Sequence, residues 1–149
     1  MGEDLHRAVA DRLDLDGQRY TSGRRTLVET LVGATRPLTA AEVVTESDLS
    51  QSSAYRNLSV LEGAGVVHRV SGTDEFARFE LAEDLTDHHH HHLICESCGV
   101  VRDFTVPDAL EESVDALASQ VARSAGFEVR DHRLDLFGHC ADCRSATQV

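Results

Sequence analysis

Five consecutive histidines, His88 to His92, run through Leu93 and Ile94 into Cys95 and Cys98, and a second pair, Cys140 and Cys143, lies close to the end of the chain. Two residues between thiolates let both sulfurs of a knuckle reach one ion at about 2.3 Å, and two knuckles complete a tetrahedron. Gly99 after the first pair and Gly138 before the second supply the backbone freedom that knuckles need. Cys95, Cys98, Cys140 and Cys143 are therefore expected to hold a zinc ion in a closed site. With no coordination position left for a substrate, its work is to tie the last segment to the first strand of its domain.

The histidine run carries a different signal. On a strand, successive side chains point to opposite faces, so His88, His90 and His92 would share one face and His89 and His91 the other. One strand can then feed two metal sites. On the first face, His90 and His92 could meet His68, Glu80 and Asp103. On the second, His89 and His91 could meet His132 and either Glu111 or Glu112. Mixed nitrogen and oxygen donors of this kind accept zinc, ferrous iron or manganese.

Composition narrows the function. The chain has 149 residues with 41% hydrophobic content, enough for one or two small domains. No apolar run approaches the roughly 20 residues of a membrane span, and Met1-Gly2-Glu3-Asp4 has no signal-peptide character. A cytoplasmic protein without a membrane partner is expected, and paired cysteines in a reducing compartment point to metal rather than disulfides. The sequence has no His-Glu-x-x-His and no pairing of His-x-Glu with Cys-x-x-Cys, so neither an enzyme nor a small-molecule substrate is expected.

The net charge of −12 opposes nucleic-acid binding at face value. Its distribution does not: residues 1–70 hold 8 Arg against 10 acids, whereas residues 71–149 hold 6 Arg against 16 acids. Lysine is absent, so each fixed side-chain cation is an arginine, whose planar fork suits phosphate and guanine. Ser53, Tyr55, Arg56 and Asn57 open one helix, and Arg19, Tyr20, Arg24 and Arg25 precede or open another. Both groups suit contact with double-stranded DNA.

These side chains need elements to position them. Leu5, Val9 and Leu13 predict a first helix broken at Gly17. Thr21 or Ser22 caps a second, with Leu27, Val28 and Leu31 buried and Gly33 as its stop. Thr39-Ala-Ala-Glu42 is a capping box for a third. Ser50 or Ser52 caps a fourth with Ala54, Leu58 and Leu61 on one side. Short helices with tight connections make a helix-turn-helix. The alternation of Val66–Val70, a turn at 71–74 and Phe76–Leu81 predict a hairpin, the wing. The acidic stretch 82–87 is the expected hinge. Beyond it come a strand through the histidines, a return strand 100–104, a helix from Pro107 with Leu110, Val114, Leu117 and Val121 on one face, and a last strand 128–137. The fold class is mixed α/β (α+β), with a winged helix-turn-helix over 1–82, a hinge over 83–87 and a metal-binding domain over 88–149.

Gln18-Arg19-Tyr20-Thr21 with Arg24, Ser53-Ala54-Tyr55-Arg56-Asn57-Leu58, His90-His91-His92-Leu93-Ile94-Cys95-x-x-Cys98-Gly99 and His132-x-Leu134-x-Leu136-x-Gly138-x-Cys140-x-x-Cys143 together resemble the ferric uptake regulator family over nearly the whole chain. That resemblance implies a homodimeric, metal-dependent transcription factor, mostly a repressor, with a winged-helix DNA-binding domain and an α/β dimerisation domain. It also implies a structural zinc on the four cysteines, a sensing metal at the hinge and a further metal in the dimerisation domain. A peroxide-sensing regulator of the same family is the alternative, and a metal buffer a more remote one. Two departures stand out. Thr35-Arg36-Pro37-Leu38 occupies the stretch where many members place a sensing histidine, and His68 resembles the arrangement of zinc uptake regulators although Glu80 is the iron-type residue. The helix from Pro107 also exceeds that of many members by about a turn.

Overall fold

A computed structural model describes residues 2–71, 75–86 and 89–147. The tip of the expected turn, 72–74, together with Asp87 and His88, lies outside the described residues. Four helices come first: α1 (Gly2–Leu15), α2 (Ser22–Gly33), α3 (Ala40–Ser47) and α4 (Gln51–Gly63). The starts of α2, α3 and α4 are set by side chains that satisfy orphan backbone donors. Thr21, of the two candidates, caps α2 by accepting from Arg24 N; Ser50, of its two candidates, caps α4 by accepting from Ser53 N. Thr39 and Glu42 form the expected capping box, and Arg36 braces Glu42 with two bonds of 3.0 and 3.1 Å. Asp48, at φ 59°, ends α3 in the left-handed region that Asp tolerates better than most residues.

The apolar stripes of these helices converge. Val9, Leu13, Leu27, Val28, Leu31, Val43, Leu58 and Leu61 form one buried cluster with Val66, Val67, Phe79 and Leu81 of the following hairpin. Helices α2 and α4 approach closely at Gly23, where a Cβ would stand 3.1 Å from Asn57 Nδ2. Gly65, at φ +73°, makes the turn from α4 into the sheet, a conformation that costs glycine nothing.

The wing pairs β2 (Val67–Ser71) with β3 (Ala77–Leu81) antiparallel, and sets His68 opposite Glu80. A short strand not anticipated from the sequence, β1 (Leu38–Thr39), adds to the other edge of β3. Pro37 pushes the residue before it towards extended backbone, and buried Leu38 then continues the ladder. The acidic stretch is not a plain linker: Glu83–Leu85 forms a turn of 3₁₀ helix, and Leu85 packs against the N-terminal core.

A second sheet has the order β5-β4-β6, with β4 (His91–Cys95) in the centre, β5 (Val101–Phe104) antiparallel and β6 (Asp135–Gly138) parallel to it. A parallel neighbour needs a long crossover, which α5 (Asp108–Ala125) supplies before Gly126 stops it at φ +64°. The last strand is shorter than the expected 128–137. Its ladder begins only where Leu134 O accepts from His92 N, because the charged residues Arg130, Asp131 and Arg133 have no strand to pair with before that point. The helix α6 (Ala141–Thr147) was not foreseen; its first turn closes on the second knuckle through Arg144 N to Cys140 O.

Replacing Leu61, which is fully buried, by alanine is expected to lower stability by about 2–5 kcal/mol. Leu15→Ala, at a residue 90% exposed, is expected to stay within about 0.5 kcal/mol of the parent. Urea unfolding at equal metal content checks both.

Candidate metal centres

The three donor groups expected from the sequence form as three separate clusters, each with its ligand atoms within 4.8 Å of one another: Cys95, Cys98, Cys140 and Cys143; Glu80, His90, His92 and Asp103; and His89, His91, Glu111 and His132. The four cysteines are not joined as disulfides, and Cys98 Sγ stands 3.8 Å from Cys140 Sγ. A tetrahedron with bonds of about 2.3 Å has edges of about 3.8 Å, so the spacing fits a tetrathiolate ion and not a disulfide. Cys140 N donates to Cys95 Sγ, and this bond, helped by Cys98 N–H, draws the Cys95 thiol well below its usual range. Hydrogen bonding with Cys140 pushes Cys143 the other way. Four thiols this close cannot all ionise without a cation among them.

The second cluster spans the two halves of the chain. Glu80 comes from wing strand β3, His92 and Asp103 face each other in the β4–β5 register, and His90 immediately precedes β4. Glu80 carboxylate oxygens lie 2.8 Å from His90 Nε2 and 3.1 Å from His92 Nε2, and both imidazoles stand 3.8 Å from Asp103. The site is largely dry, with the Glu80 side chain 13% exposed and His92 4%. Burial opposes the ionisation of Glu80, yet hydrogen bonds from His90 and His92 outweigh it and bring the carboxyl down to about 2. The hydrogen bond to Glu80 in turn lifts His90 to about 9. Burial raises Asp103, whose Oδ1 is buried without a hydrogen-bond partner. An orphaned carboxylate oxygen beside two imidazoles and a second carboxylate is what a cation would satisfy.

The third cluster lies on the opposite face of the same segment. His89 Nε2 is 3.1 Å from His132 Nε2 and 3.4 Å from Glu111 Oε2, which is also 3.1 Å from His132 Nε2. Nearly buried His91 reaches the other Glu111 oxygen. The opposite ring nitrogens of His89 and His132 are engaged by carboxylates, Nδ1 of His89 by Glu83 at 2.6 Å and Nδ1 of His132 by Asp115 at 3.4 Å. The Nε2 atoms of His89 and His132 thus converge on one another and on Glu111, and a tetrahedron with bonds of about 2.1 Å has edges of about 3.4 Å, close to the spacing here. His92 has the same arrangement, with Asp135 3.2 Å from its Nδ1.

Of the sequence-based ligands, Glu111 rather than Glu112 enters the third cluster: Glu111 is half-buried, whereas Glu112 is exposed. Asp103 joins the second. His68 does not: although paired with Glu80 in register, it is exposed and stands close enough to Asp84 to help hold that carboxyl down, after Arg12. It lines a cleft of about 800 Å³ that opens onto Glu80, His89, His90 and His92. The carboxylates behind the ligands, Glu83, Asp115 and Asp135, were missed, since nothing in the sequence separates them from the other surface acids.

The nucleic-acid candidates fall into two sets. Tyr55 (46% exposed) and Arg56 are open on the first turns of α4, with Ser53 beside them, and Arg19 is exposed before α2. Arg24 and Asn57 instead hold each other at 3.3 Å, with Arg24 also bonded to Arg19 O, which locks α2 to α4. The Tyr20 hydroxyl is taken up by His6 Nδ1 at 2.6 Å.

Comparison with known proteins agrees with this geometry. Residues 16–137 match the model of the ferric uptake regulator family. A peroxide-responsive repressor of Staphylococcus saprophyticus is 31% identical over 134 residues, 87% of this chain and 84% of that protein. The ferric uptake regulator of Pseudomonas aeruginosa, solved with manganese, superposes with a TM-score of 0.68 at 27% identity over 88% of this chain and 96% of that one. That of Francisella tularensis, solved with iron, does so at 0.65 and 25% identity, over 86% and 96% of the two chains. With its winged helix, its second sheet and three converging donor sets, the chain belongs to the ferric uptake regulator family and is a metal-dependent transcriptional repressor.

Proposed function

We propose that residues 1–82 are the DNA-binding domain, 83–87 the hinge and 88–149 the dimerisation domain of a cytoplasmic homodimer that represses metal-homeostasis genes from an inverted-repeat operator. The observation that carries this reading is that Glu80, a wing residue, shares one donor set with His90, His92 and Asp103 of the second sheet. A bound divalent cation supplies the positive charge that these four residues lack among themselves. Drawn onto it, Glu80 would fix the wing against the second sheet, and with it the direction in which α4 presents Ser53, Tyr55 and Arg56 to a major groove. Arg24 and Asn57 would hold α2 against α4, Tyr20 would stay on His6, and exposed Arg19 would meet the backbone. Self-association is supported by α5, which buries none of its residues within the chain and leaves Leu110, Leu117 and Val121 more than half exposed, alongside Phe127 and Phe137.

Cys95, Cys98, Cys140 and Cys143 hold a structural zinc in this reading. The sensing cluster is free of sulfur, and two imidazoles with two carboxylates suit ferrous iron or manganese as well as zinc. A second reading, peroxide sensing, is favoured by the cleft that opens onto Glu80, His90 and His92, since iron there would be reachable by a small oxidant. Treating the iron-loaded protein with hydrogen peroxide and mapping peptides by mass spectrometry separates the two: added oxygen on His90 or His92 supports the peroxide sensor, and unmodified histidines exclude it.

Two further outcomes are expected. Fluorescence anisotropy on inverted-repeat promoter fragments should give metal-dependent binding in the parent and at least about tenfold weaker dependence in His90→Ala, whereas Arg56→Ala should weaken binding by about 1–3 kcal/mol with the metal response intact. Wild-type-like metal dependence in His90→Ala removes it from the switch. The second concerns pH. In protein that retains only its four-cysteine zinc, His90 is lifted from 6.5 to about 9 by Glu80. A folded-state value above the unfolded one stabilises fully below pH 6.5 and is lost as pH rises through 9. Thermal stability should therefore fall across that window, and Glu80→Gln should flatten the fall.

A further inference from the structure

We propose that Glu83 is a positioning residue: it orients His89 from the hinge and thereby couples the His89, His91, Glu111 and His132 cluster to the winged-helix half. The inference rests on the reading that this cluster holds a divalent cation.

Three imidazoles of the two mixed clusters are backed by a carboxylate on their outer nitrogen, and the origin of those carboxylates differs. Asp115 behind His132 comes from α5 and Asp135 behind His92 from β6, both in the same half of the chain as the histidines they hold. Glu83 comes from the 3₁₀ turn between wing and second sheet. Its Oε2 lies 2.6 Å from His89 Nδ1, which leaves Nε2 as the nitrogen aimed into the cluster. A bond this short between partners 31% and 28% exposed has the character of a charge-assisted contact with limited access to solvent.

The next two residues of the same turn face the other way. Asp84 bonds Arg12 of α1 at 2.6 Å, and Leu85 packs against the N-terminal core. Arg12 also donates to Gly65 O at 2.8 Å, at the turn that follows α4. Asp84 is 68% exposed, so its ion pair adds little on its own. Attachment of the turn to the winged-helix half therefore falls on Leu85, which packs against its core. Three consecutive residues thus join a histidine of the cluster to that half. A carboxylate that fixes the tautomer and direction of a ligating imidazole typically changes metal affinity by about 10–100-fold. Affinity gained by ordering the turn must be returned as order in the turn when the ion binds.

The test uses the full chain with its four-cysteine zinc in place and His90→Ala as background, so that the Glu80 cluster does not compete for added zinc. Chelator competition measures the affinity for Zn²⁺, and hydrogen exchange follows the Leu85 and Thr86 amides, which bond Ala82 O and Glu83 O. Glu83→Ala is expected to bind Zn²⁺ at least about tenfold more weakly and to lose the zinc-dependent slowing of those amides. Glu83→Gln keeps an acceptor for the His89 N–H and is expected to restore both. Parent-like affinity or parent-like slowing in Glu83→Ala overturns the proposal, as does Glu83→Gln behaving like Glu83→Ala. Glu111→Ala is the reference: if it still binds the ion, the cluster itself is misread and the positioning role falls with it.

Discussion

An extended chain sends successive side chains to opposite faces, and this protein places four consecutive described imidazoles, His89 to His92, on one such segment. Everything else in the second half serves to hold that segment flat between neighbours that bring the right partners to each face. The β5 register sets Asp103 opposite His92 on one side and Phe104 opposite His91 on the other. The parallel strand β6 brings Asp135 level with His92, and the approach to it carries His132 to the other face. A slip of one residue would exchange the two faces and dissolve both donor sets. The chain guards against this with Ile94 and Val101, which bury with Val70 of the wing beside the polar clusters.

The acidity of the chain follows from the same arrangement. Carboxylates enter the clusters both as donors and as supports behind the imidazoles, and without cations their desolvation has to be offset by protonated histidines. Against burial, hydrogen bonds with His90 and His92 draw the Glu80 carboxyl down to about 2, and the same contact lifts His90 to about 9. Asp103 Oδ1 and His91 Nδ1 are buried without hydrogen-bond partners. A divalent ion would compete with the shared proton for the same lone pairs.

Much of this was legible before any coordinates. Helix caps at Thr21, Thr39 and Ser50, the wing, the alternation of the histidines and the two cysteine knuckles are local patterns, in which residue type and spacing dictate the outcome over a few positions. What escaped depends on distance in the fold. Glu83, Asp115 and Asp135 look like any other surface acid, and only the closing of the 3₁₀ turn, helix and sheet around the histidines distinguishes them. His68 shows how far register alone reaches: it sets the residue opposite Glu80, while the side chain is exposed and outside the Glu80 cluster. The strand β1 and the helix α6 are two and seven residues long, too short for periodicity to declare itself.

The two mixed clusters touch the winged helix with different directness, and this difference has a thermodynamic consequence. Glu80 itself belongs to the second cluster, so an ion bound there would hold the wing directly to the second sheet. Glu83 stands one bond further out, reaching the third cluster only through the ring of His89. An ion shifts an equilibrium only by the difference between its affinities for the two states. The second cluster, whose donors are split between the halves, has a large difference available to it. The third, assembled within one half and borrowing only its outer support from the hinge, has a smaller one. In the proposed reading, an ion in the third cluster would bias the orientation of α4, while an ion in the second would decide it.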